Sequence, residues 1–327
     1  MGRTKDSGNL ASPKSGILLN VRPITADEVT AFSLFAACED RGFAPANATQ
    51  FEQWLQDLWA KGRSSPERCW VAERGDRYTA AAVYWRKENR YHIEHYHPSD
   101  DGSRDERELL ARSIHDIRIT GGSGVWAEIV SPPMSELDAA SFAARLNEMG
   151  FIRTRHRLRF RRPALADDVP DAKLAYRTCA DLGRTAYIEA WAQVSAESLD
   201  HDIAKAQNEG SAPANAATAF ANAQGTQNGS RHWEVAYLPD GALVGLVAPG
   251  LVQNEPVIHF YGVVPAFRRK GFGRQMLIRG IRSLAASGAE SVRLDVDAAN
   301  EPSVRTIRAC GFQQVRSYSW YDLILSP

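Results

Sequence analysis

Hydrophobic patterning predicts a mixed fold in the second half of the chain. Apolar residues recur at helical spacing at Met276, Leu277, Ile281 and Leu284, which predicts one well-defined amphipathic helix. Apolar runs of strand length are expected to form strands at 174–177, 232–238, 242–250, 256–264, 291–297 and 313–325, the last as one strand or a hairpin. Helices are expected at 181–194, 273–286 and 302–309. This order predicts an α+β fold with a mixed sheet.

One segment of the second half lacks this patterning. Residues 208–230 are rich in Ala, Asn and Gly, and we expect a long loop with a short helix near 216–223. Two interpretations stay open, a lid over a substrate or a plain flexible insertion.

The second half has a counterpart in the first. "VRPITADEV" at 21–29 resembles "YRTCADLGR" at 176–184, and a helix followed by Gly-Phe closes both halves, at Gly150 and Gly311. This predicts an internal duplication. The expected parts are a disordered polar tail at 1–16, a first domain at 17–163, a linker at 164–173 and a second domain at 174–327.

Composition narrows the classes of function. The 327 residues include 39 Lys and Arg against 39 Asp and Glu, so no overall field attracts nucleic acid or an anionic membrane. No apolar run reaches the roughly 18–20 residues of a membrane helix. The 4 cysteines are scattered without a CxxC pair, which disfavours disulfide scaffolding and zinc and favours a reducing cytoplasm.

The stretch "VVPAFRRKGFGRQML" at 263–277 predicts an anion site. A strand ends at Val264, and a helix opens near Gly271, where unpaired backbone N–H groups and partial positive charge face outward. Glycines allow close approach of a ligand to the backbone. Basic side chains add charge at Arg268, Arg269, Lys270 and Arg274. Phosphate or pyrophosphate suits such a site, although the spacing matches neither a P-loop nor a dinucleotide fingerprint.

The first half does not keep this loop. When Pro98 is aligned with Pro265, Asp101 stands opposite Arg268 and Glu106 opposite Gly273. Acidic side chains there, with Asp105 beside them, would repel a pyrophosphate. We therefore expect only the second domain to bind such a ligand.

Two motifs of the second half resemble those of the GNAT superfamily of acyl-CoA N-acyltransferases. Residues 268–273, "RRKGFG", match its [RQ]-x-x-G-x-[GA] loop, and "NEPSVRTIRACGF" from Asn300 matches most of its second landmark. The resemblance implies tandem domains, each a mostly antiparallel twisted sheet flanked by helices. It implies acetyl-CoA as acyl donor and no metal. The tandem arrangement also resembles that of mycothiol synthase-like proteins.

The resemblance also implies which residues contact coenzyme A. Backbone groups of a strand pair with the pantetheine arm, the loop and helix start hold the pyrophosphate, and the second landmark contributes further contacts. The residues so implied are Val263, Val264, Arg268, Arg269, Gly271, Phe272, Gly273, Arg274, Asn300 and Ser303.

The catalytic residues implied by the resemblance differ from the usual ones of the family at two positions. His259 falls where many members carry a glutamate base, and Glu255 is the alternative base, acting through water; His259 is otherwise a core histidine. Ile307 replaces the tyrosine that often protonates the departing thiolate. Three alternatives stay open: another donor, no dedicated acid, or lost catalysis. The candidate donors are Tyr261, Tyr318 and Tyr321.

Acidic residues on one predicted strand and basic residues on another raise the question of a charged binding partner. Asp295 and Asp297 share a strand face, where they would attract a cationic amine or remain solvated and cap the next helix. Arginines alternate along one strand at Arg153, Arg155, Arg157, Arg159 and Arg161. A solvated row paired with carboxylates is favoured over a nucleic-acid grip, since the net charge is zero.

Together these features predict a cytoplasmic N-acetyltransferase. Its second domain would transfer an acetyl group from acetyl-CoA to a primary amine of a small molecule or peptide, as a monomer or homodimer. The alternative is a non-catalytic acyl-CoA-binding sensor or scaffold. Neither a membrane nor a nucleic acid is expected as partner.

Overall fold

The computed structural model describes residues 18–37, 47–97, 104–132, 134–165, 174–224, 230 and 232–325. The predicted tail at 1–16, Asp101 and most of the predicted linker lie outside these residues. The chain forms two compact units. The first unit comprises Met1–Ala127, Ala143–Ile152 and Asp322–Pro327, and the second comprises Glu128–Phe142 and Arg153–Tyr321.

Twelve strands and ten α-helices are found in the described residues. The strands are β1 (Leu19–Pro23), β2 (Cys69–Arg74), β3 (Arg77–Lys87), β4 (Arg90–His97), β5 (Gly124–Ser131), β6 (Ile152–Pro163), β7 (Ala175–Thr178), β8 (Glu234–Tyr237), β9 (Leu243–Val252), β10 (Glu255–Val263), β11 (Ser291–Asp297) and β12 (Gln313–Ile324). The helices are α1 (Val29–Ala36), α2 (Ala48–Ala60), α3 (Arg104–Ile119), α4 (Glu136–Glu148), α5 (Cys179–Leu182), α6 (Arg184–Ser195), α7 (His201–Glu209), α8 (Ala212–Gln224), α9 (Phe272–Ala286) and α10 (Glu301–Ala309). The predicted mixed sheet with helices is confirmed.

The first unit orders its strands β1-β2-β3-β4-β5, with residues 124–127 of β5 belonging to this unit. Neighbours from β1 to β4 run antiparallel, while β4 and β5 run parallel and stay paired from Arg90 with Gly124 to Ile93 with Ala127. Its core packs α1 and α2 against β2 and β3 through Phe32, Phe51 and Val83, among others. The sheet and helices of this unit therefore enclose an apolar core of their own.

The second unit orders its strands β12-β6-β11-β10-β9-β8-β7. Strand β6, which the repeat pattern gave to the first domain, pairs antiparallel with β11 here. Its alternate residues Leu158 and Phe160 join the core beneath α9. A second cluster packs α6 and α8 around the buried Trp233. The domain boundary at 164–173 stays a prediction.

Local signals of the repeat are present in both halves. The carboxylate of Glu28 accepts the Thr25 N–H at 2.7 Å, and Asp181 accepts the Thr178 N–H at 3.1 Å. Each pair forms a capping box at the start of a helical segment. Both closing glycines have positive φ, +87° at Gly150 and +79° at Gly311, as a helix end requires.

Two predictions of secondary structure are wrong. The single helix at 181–194 is instead α5 and α6, which break at Gly183, where φ is +78°. The helix expected near 216–223 is present, but as α8 it spans Ala212–Gln224, so the long loop expected at 208–230 is wrong for most of its described residues; 225–229 and 231 lie outside them. Alanine favours helix, and Phe220 anchors α8 in the core. No described helix is long and apolar enough to cross a membrane.

Candidate functional site

The second unit contains a cavity of about 1300 Å³. Its walls come from α6, α7 and α8 on one side and from β10, β11, the loop before α9 and the start of α10 on the other. Most residues predicted from the sequence for the site line it. These are His259, Tyr261, Val263, Arg268, Arg269, Gly271, Gly273, Arg274, Asp295, Asn300 and Ser303.

The cavity occupies a gap between two parallel strands. Strands β10 and β11 are paired in parallel register at one position, Val257 with Arg293. Beyond that pair, residues 258–263 of β10 and 294–296 of β11 both line the cavity. Backbone groups that a continuous sheet would pair therefore face the cavity, where an extended ligand can lie beside a strand.

The loop after β10 has the tight turn and the positive φ angle that its glycines predict. Pro265–Phe267 form a 3-10 turn, Arg269 has φ +61°, and Gly271 has φ +85° and caps α9. The helix then starts at Phe272. A Cβ on Gly273 would meet no protein atom closer than 4.0 Å. The N-terminus of α9 thus opens onto the cavity without side chains at the two glycines.

Arg268 is engaged with backbone carbonyls. Its Nε donates to Val263 O at 3.0 Å, and its Nη1 donates to Glu197 O at 3.0 Å. Its Nη2 donates to Val194 O at 3.3 Å and also to Ala196 O. Burial lowers the pKa of Arg268 below its ordinary value, and the guanidinium stays charged. The side chain therefore joins the loop to the C-terminal end of α6.

His259 lies at an irregularity of β10. Ile258 pairs with Pro249 and Phe260 with Ala248, so His259 occupies a β-bulge. The half-buried imidazole lines the cavity. Burial, with the charge of Arg293, lowers the pKa of His259 from its ordinary value of 6.5. The ring is therefore mainly neutral at pH 7 and able to accept a proton.

Tyr261 is the one candidate proton donor among the three tyrosines that lines the cavity. Its hydroxyl donates to Ser303 O at 3.5 Å, and burial raises its pKa. Tyr318 lies 5.9 Å from Trp320 in a stacked pair, and Tyr321 is buried. The side chain of Ile307 is fully buried in the core beneath the sheet.

The three predicted carboxylates all have partners. Glu255 pairs with Arg161 and, at 2.6 Å, with Arg293, and it does not line the cavity. Asp295 lines the cavity and forms a bidentate pair with Arg159, at 2.8 and 2.9 Å. The buried Asp297 accepts the N–H groups of His201 at 3.0 Å and Ala299 at 2.8 Å.

The remaining predicted contacts are structural in part. Asn300 caps α10 by accepting the Ser303 N–H at 3.3 Å, which leaves its amide N–H₂ on the cavity wall. Val264 does not line the cavity, and its N–H donates to Val244 O at 2.9 Å. Phe272 packs edge-on against Phe267.

The arginine row on β6 is paired with carboxylates. Arg155 and Arg157 both contact Asp202, and Arg159 pairs with Asp295. The guanidinium of Arg155 also lies 4.8 Å from the centre of the Trp320 ring. These partners agree with the solvated-row interpretation and leave less charge for a nucleic-acid backbone.

One part of the cavity wall has no counterpart among the predicted site residues. It comes from α7 and the segment before it, and includes Asp200 and Gln207. Asn215 of α8 also lines the cavity and lies in 208–230, for which a lid over a substrate is one of the two interpretations. Asp200 caps α7 by accepting N–H groups at 3.1 and 3.3 Å, a signal visible as Asp before a helical segment. Among the described residues, no three His, Cys, Asp or Glu side chains are placed to hold a metal.

Known proteins are similar to this chain. Residues 198–312 match the acetyltransferase (GNAT) family. A mycothiol acetyltransferase of Thermobifida fusca is 36% identical over an alignment of 95 residues, and the match covers 28% of this chain and 27% of that protein. A mycothiol acetyltransferase of Frankia casuarinae is 31% identical over an alignment of 243 residues, and the match covers 66% of this chain and 68% of that protein.

The fold is also similar to a solved structure. The crystal structure of a GCN5-related N-acetyltransferase from Sphaerobacter thermophilus has a TM-score of 0.52 at 16% identity. It covers 94% of this chain, and the match covers 96% of that chain. The glycine-capped loop at 268–273 and the gap between parallel strands agree with these likenesses. The chain belongs to the GNAT family of acetyltransferases.

Proposed function

We propose that the second unit transfers an acetyl group from acetyl-CoA to a primary amine. The observation that carries this is the joining, within one cavity, of the gap between β10 and β11 with the glycine-capped start of α9. The gap suits an extended arm, and the helix start suits a diphosphate.

The residues present fit coenzyme A. The backbone N–H groups at 271–273 would hold the diphosphate, whereas the Arg274 N–H donates to Gly271 O at 3.2 Å. The side chains of Arg269 and Arg274 would add positive charge beside the diphosphate. Val263 would lie along the pantetheine arm. When bound, acetyl-CoA would supply an activated thioester, from which the amine takes the acetyl group as coenzyme A departs.

His259 is proposed as the base. An amine acceptor is an ammonium ion at neutral pH and must lose a proton before it can attack. The imidazole is on the cavity wall, and its lowered pKa keeps it ready to accept that proton. Glu255 is paired with two arginines and is the weaker candidate.

Tyr261 is proposed as the acid in place of the missing tyrosine. Burial raises the pKa of its hydroxyl, so the proton stays on oxygen at neutral pH. Tyr261 lines the same cavity as His259, so the proposed acid and base belong to residues of one cavity wall. Asp295 would face the acceptor, whereas Asp297 shapes the wall through its backbone contacts.

We further propose that the first unit does not bind acetyl-CoA. Asp105 and Glu106 are buried at the start of α3, where they pair with Arg74 at 2.7 Å and Arg145 at 3.4 Å. Four consecutive pairs also hold β4 against β5. This unit therefore presents buried carboxylates and a closed strand pair at the corresponding places.

The proposed setting is a reducing cytoplasm, supported by the buried free thiols of Cys69, Cys179 and Cys310. The acceptor would be a small-molecule or peptide amine, and the protein a monomer or homodimer. Because both relatives are named for mycothiol, its deacetylated amine belongs in any acceptor panel.

Calorimetry with acetyl-CoA followed by an amine panel tests the function. We expect one acetyl-CoA per chain and release of coenzyme A that depends on an amine. Binding without turnover on any amine would favour the second candidate, an acyl-CoA-binding sensor, which the buried Ile307 at the tyrosine position supports. No binding of acetyl-CoA would refute both, and two molecules per chain would refute the proposal for the first unit.

A further inference from the structure

Residues 196–200, here called the strap, connect α6 to α7 and form part of the cavity wall. Glu197, Ser198, Leu199 and Asp200 all line the cavity. The strap thus faces the same cavity as His259. Its position decides the shape that an acceptor meets.

The strap is held at both ends by side chains from the site. At its start, Arg268 of the cofactor loop donates to the carbonyls of Ala196 and Glu197. Just past its end, Asp297 of β11 accepts the His201 N–H at 3.0 Å. Both side chains carry charges, and such hydrogen bonds are stronger than neutral ones.

Arg268 has little capacity left for an anion. A guanidinium has five N–H groups, and four hydrogen bonds already join this one to Val263 O, Val194 O, Ala196 O and Glu197 O. One guanidinium therefore donates hydrogen bonds to the end of β10, the end of α6 and the strap. This geometry suits a side chain that holds the loop, α6 and the strap together better than one that contacts the diphosphate.

The strap also contains a strained residue. Glu197 has φ +52°, a conformation that residues other than glycine adopt only when their surroundings impose it. Its carbonyl is one of those that Arg268 holds at 3.0 Å. Loss of that hydrogen bond would allow Glu197 to relax and the strap to move.

We propose that Arg268 is a positioning residue that couples the cofactor loop to the strap. Acetyl-CoA, by ordering the loop at 268–274, holds the guanidinium in place and thereby fixes the wall that the acceptor meets. This inference rests on the proposed function, because it requires that acetyl-CoA bind the loop.

Hydrogen exchange with and without saturating acetyl-CoA tests the coupling in the full chain. The reporters are the amides of Ala196, Asp200 and His201, each of which donates a hydrogen bond. In the wild type we expect acetyl-CoA to slow their exchange by about fivefold or more. In Arg268→Gln and Arg268→Lys we expect that slowing to disappear, while protection of the loop by acetyl-CoA persists.

The variants separate geometry from charge. Arg268→Lys keeps the positive charge but loses the planar guanidinium with its several N–H donors. If those donors are required, Arg268→Lys loses the slowing of exchange in the strap just as Arg268→Gln does. Arg269→Gln removes a neighbouring charge on the cavity wall; it should weaken acetyl-CoA binding by calorimetry yet keep the slowing of the strap at saturation. Unfolding midpoints of all variants show that each is folded.

Three results would overturn the coupling. The first is a wild type that binds acetyl-CoA without any slowing in the strap. The second is an Arg268→Gln protein whose strap still slows. The third is full coupling in Arg268→Lys with weakened acetyl-CoA binding in Arg268→Gln, which would mark Arg268 as a charge for the diphosphate. A wild type that does not bind acetyl-CoA would instead refute the proposed function, and with it the coupling.

Discussion

Substitution of Gly271 by alanine is expected to lower both the free energy of unfolding and the affinity for acetyl-CoA, and the two effects can be measured separately. The residue has φ +85°, and a Cβ built on it has no protein atom within 4 Å. Alanine there meets no steric clash in the protein, so the penalty for folding is the left-handed conformation alone, about 1–2 kcal/mol. That loss lowers the unfolding midpoint by about 2–4 °C per kcal/mol.

The same helix provides a matched control. Gly288, which follows α9, has φ +86° and likewise has no protein atom within 4 Å of a built Cβ. Gly288→Ala should therefore lose the same stability. It does not line the cavity, whereas Gly271 does. A methyl group at Gly271 would occupy space where the diphosphate approaches the backbone.

Calorimetry with acetyl-CoA measures the difference. We expect Gly271→Ala to bind acetyl-CoA at least about tenfold more weakly than Gly288→Ala, equivalent to about 1.4 kcal/mol. Gly271→Glu should bind still more weakly, because a carboxylate would repel the diphosphate. Equal affinities of the two alanine variants at equal loss of stability would refute the placement of the diphosphate at this loop.

Two further predictions concern proton transfer. Because the pKa of His259 is lowered below 6.5 and the neutral ring is the base, kcat/KM should fall on the acid side with a midpoint below pH 6.5. Arg293→Gln removes a charge that lowers this pKa, so the midpoint should move upward; an unmoved midpoint, or one that survives His259→Ala, contradicts the assignment. Tyr261→Phe should lower kcat by about a hundredfold with acetyl-CoA affinity unchanged, as measured by steady-state kinetics and calorimetry. Unchanged kcat would show that the proton follows another route.

Local patterns predicted most elements of the second unit. Strand β10, helix α9 and strand β11 occur within two residues of their expected bounds, because each has a strong hydrophobic period between clear turn residues. In the alanine-rich segment the predicted helix at 216–223 is too short, because the few large apolar residues around it resemble a loop composition. Phe220 and its packing against Trp233, 5.2 Å between ring centres, make that segment helical.

The sequence alone predicted which residues belong to the site better than what each one touches. The paired glycines of the loop predict an anion site, because positive φ and close approach of a ligand are requirements of a single short segment. The partners of Arg268, Asp295 and Asp297 lie far away in the chain, so no local pattern indicates them. Tertiary packing made Arg268 a link between elements.

By itself, therefore, the sequence determined the local conformations: the capping boxes, the glycine turns and the amphipathic faces of the helices. Their energetics depend on residues within a few positions of one another. The tertiary structure alone decided that β6 pairs with β11 and that α7 and α8 wall the cavity. Strand pairing and cavity shape depend on contacts between distant segments, whose stability comes from side-chain packing and not from local preference.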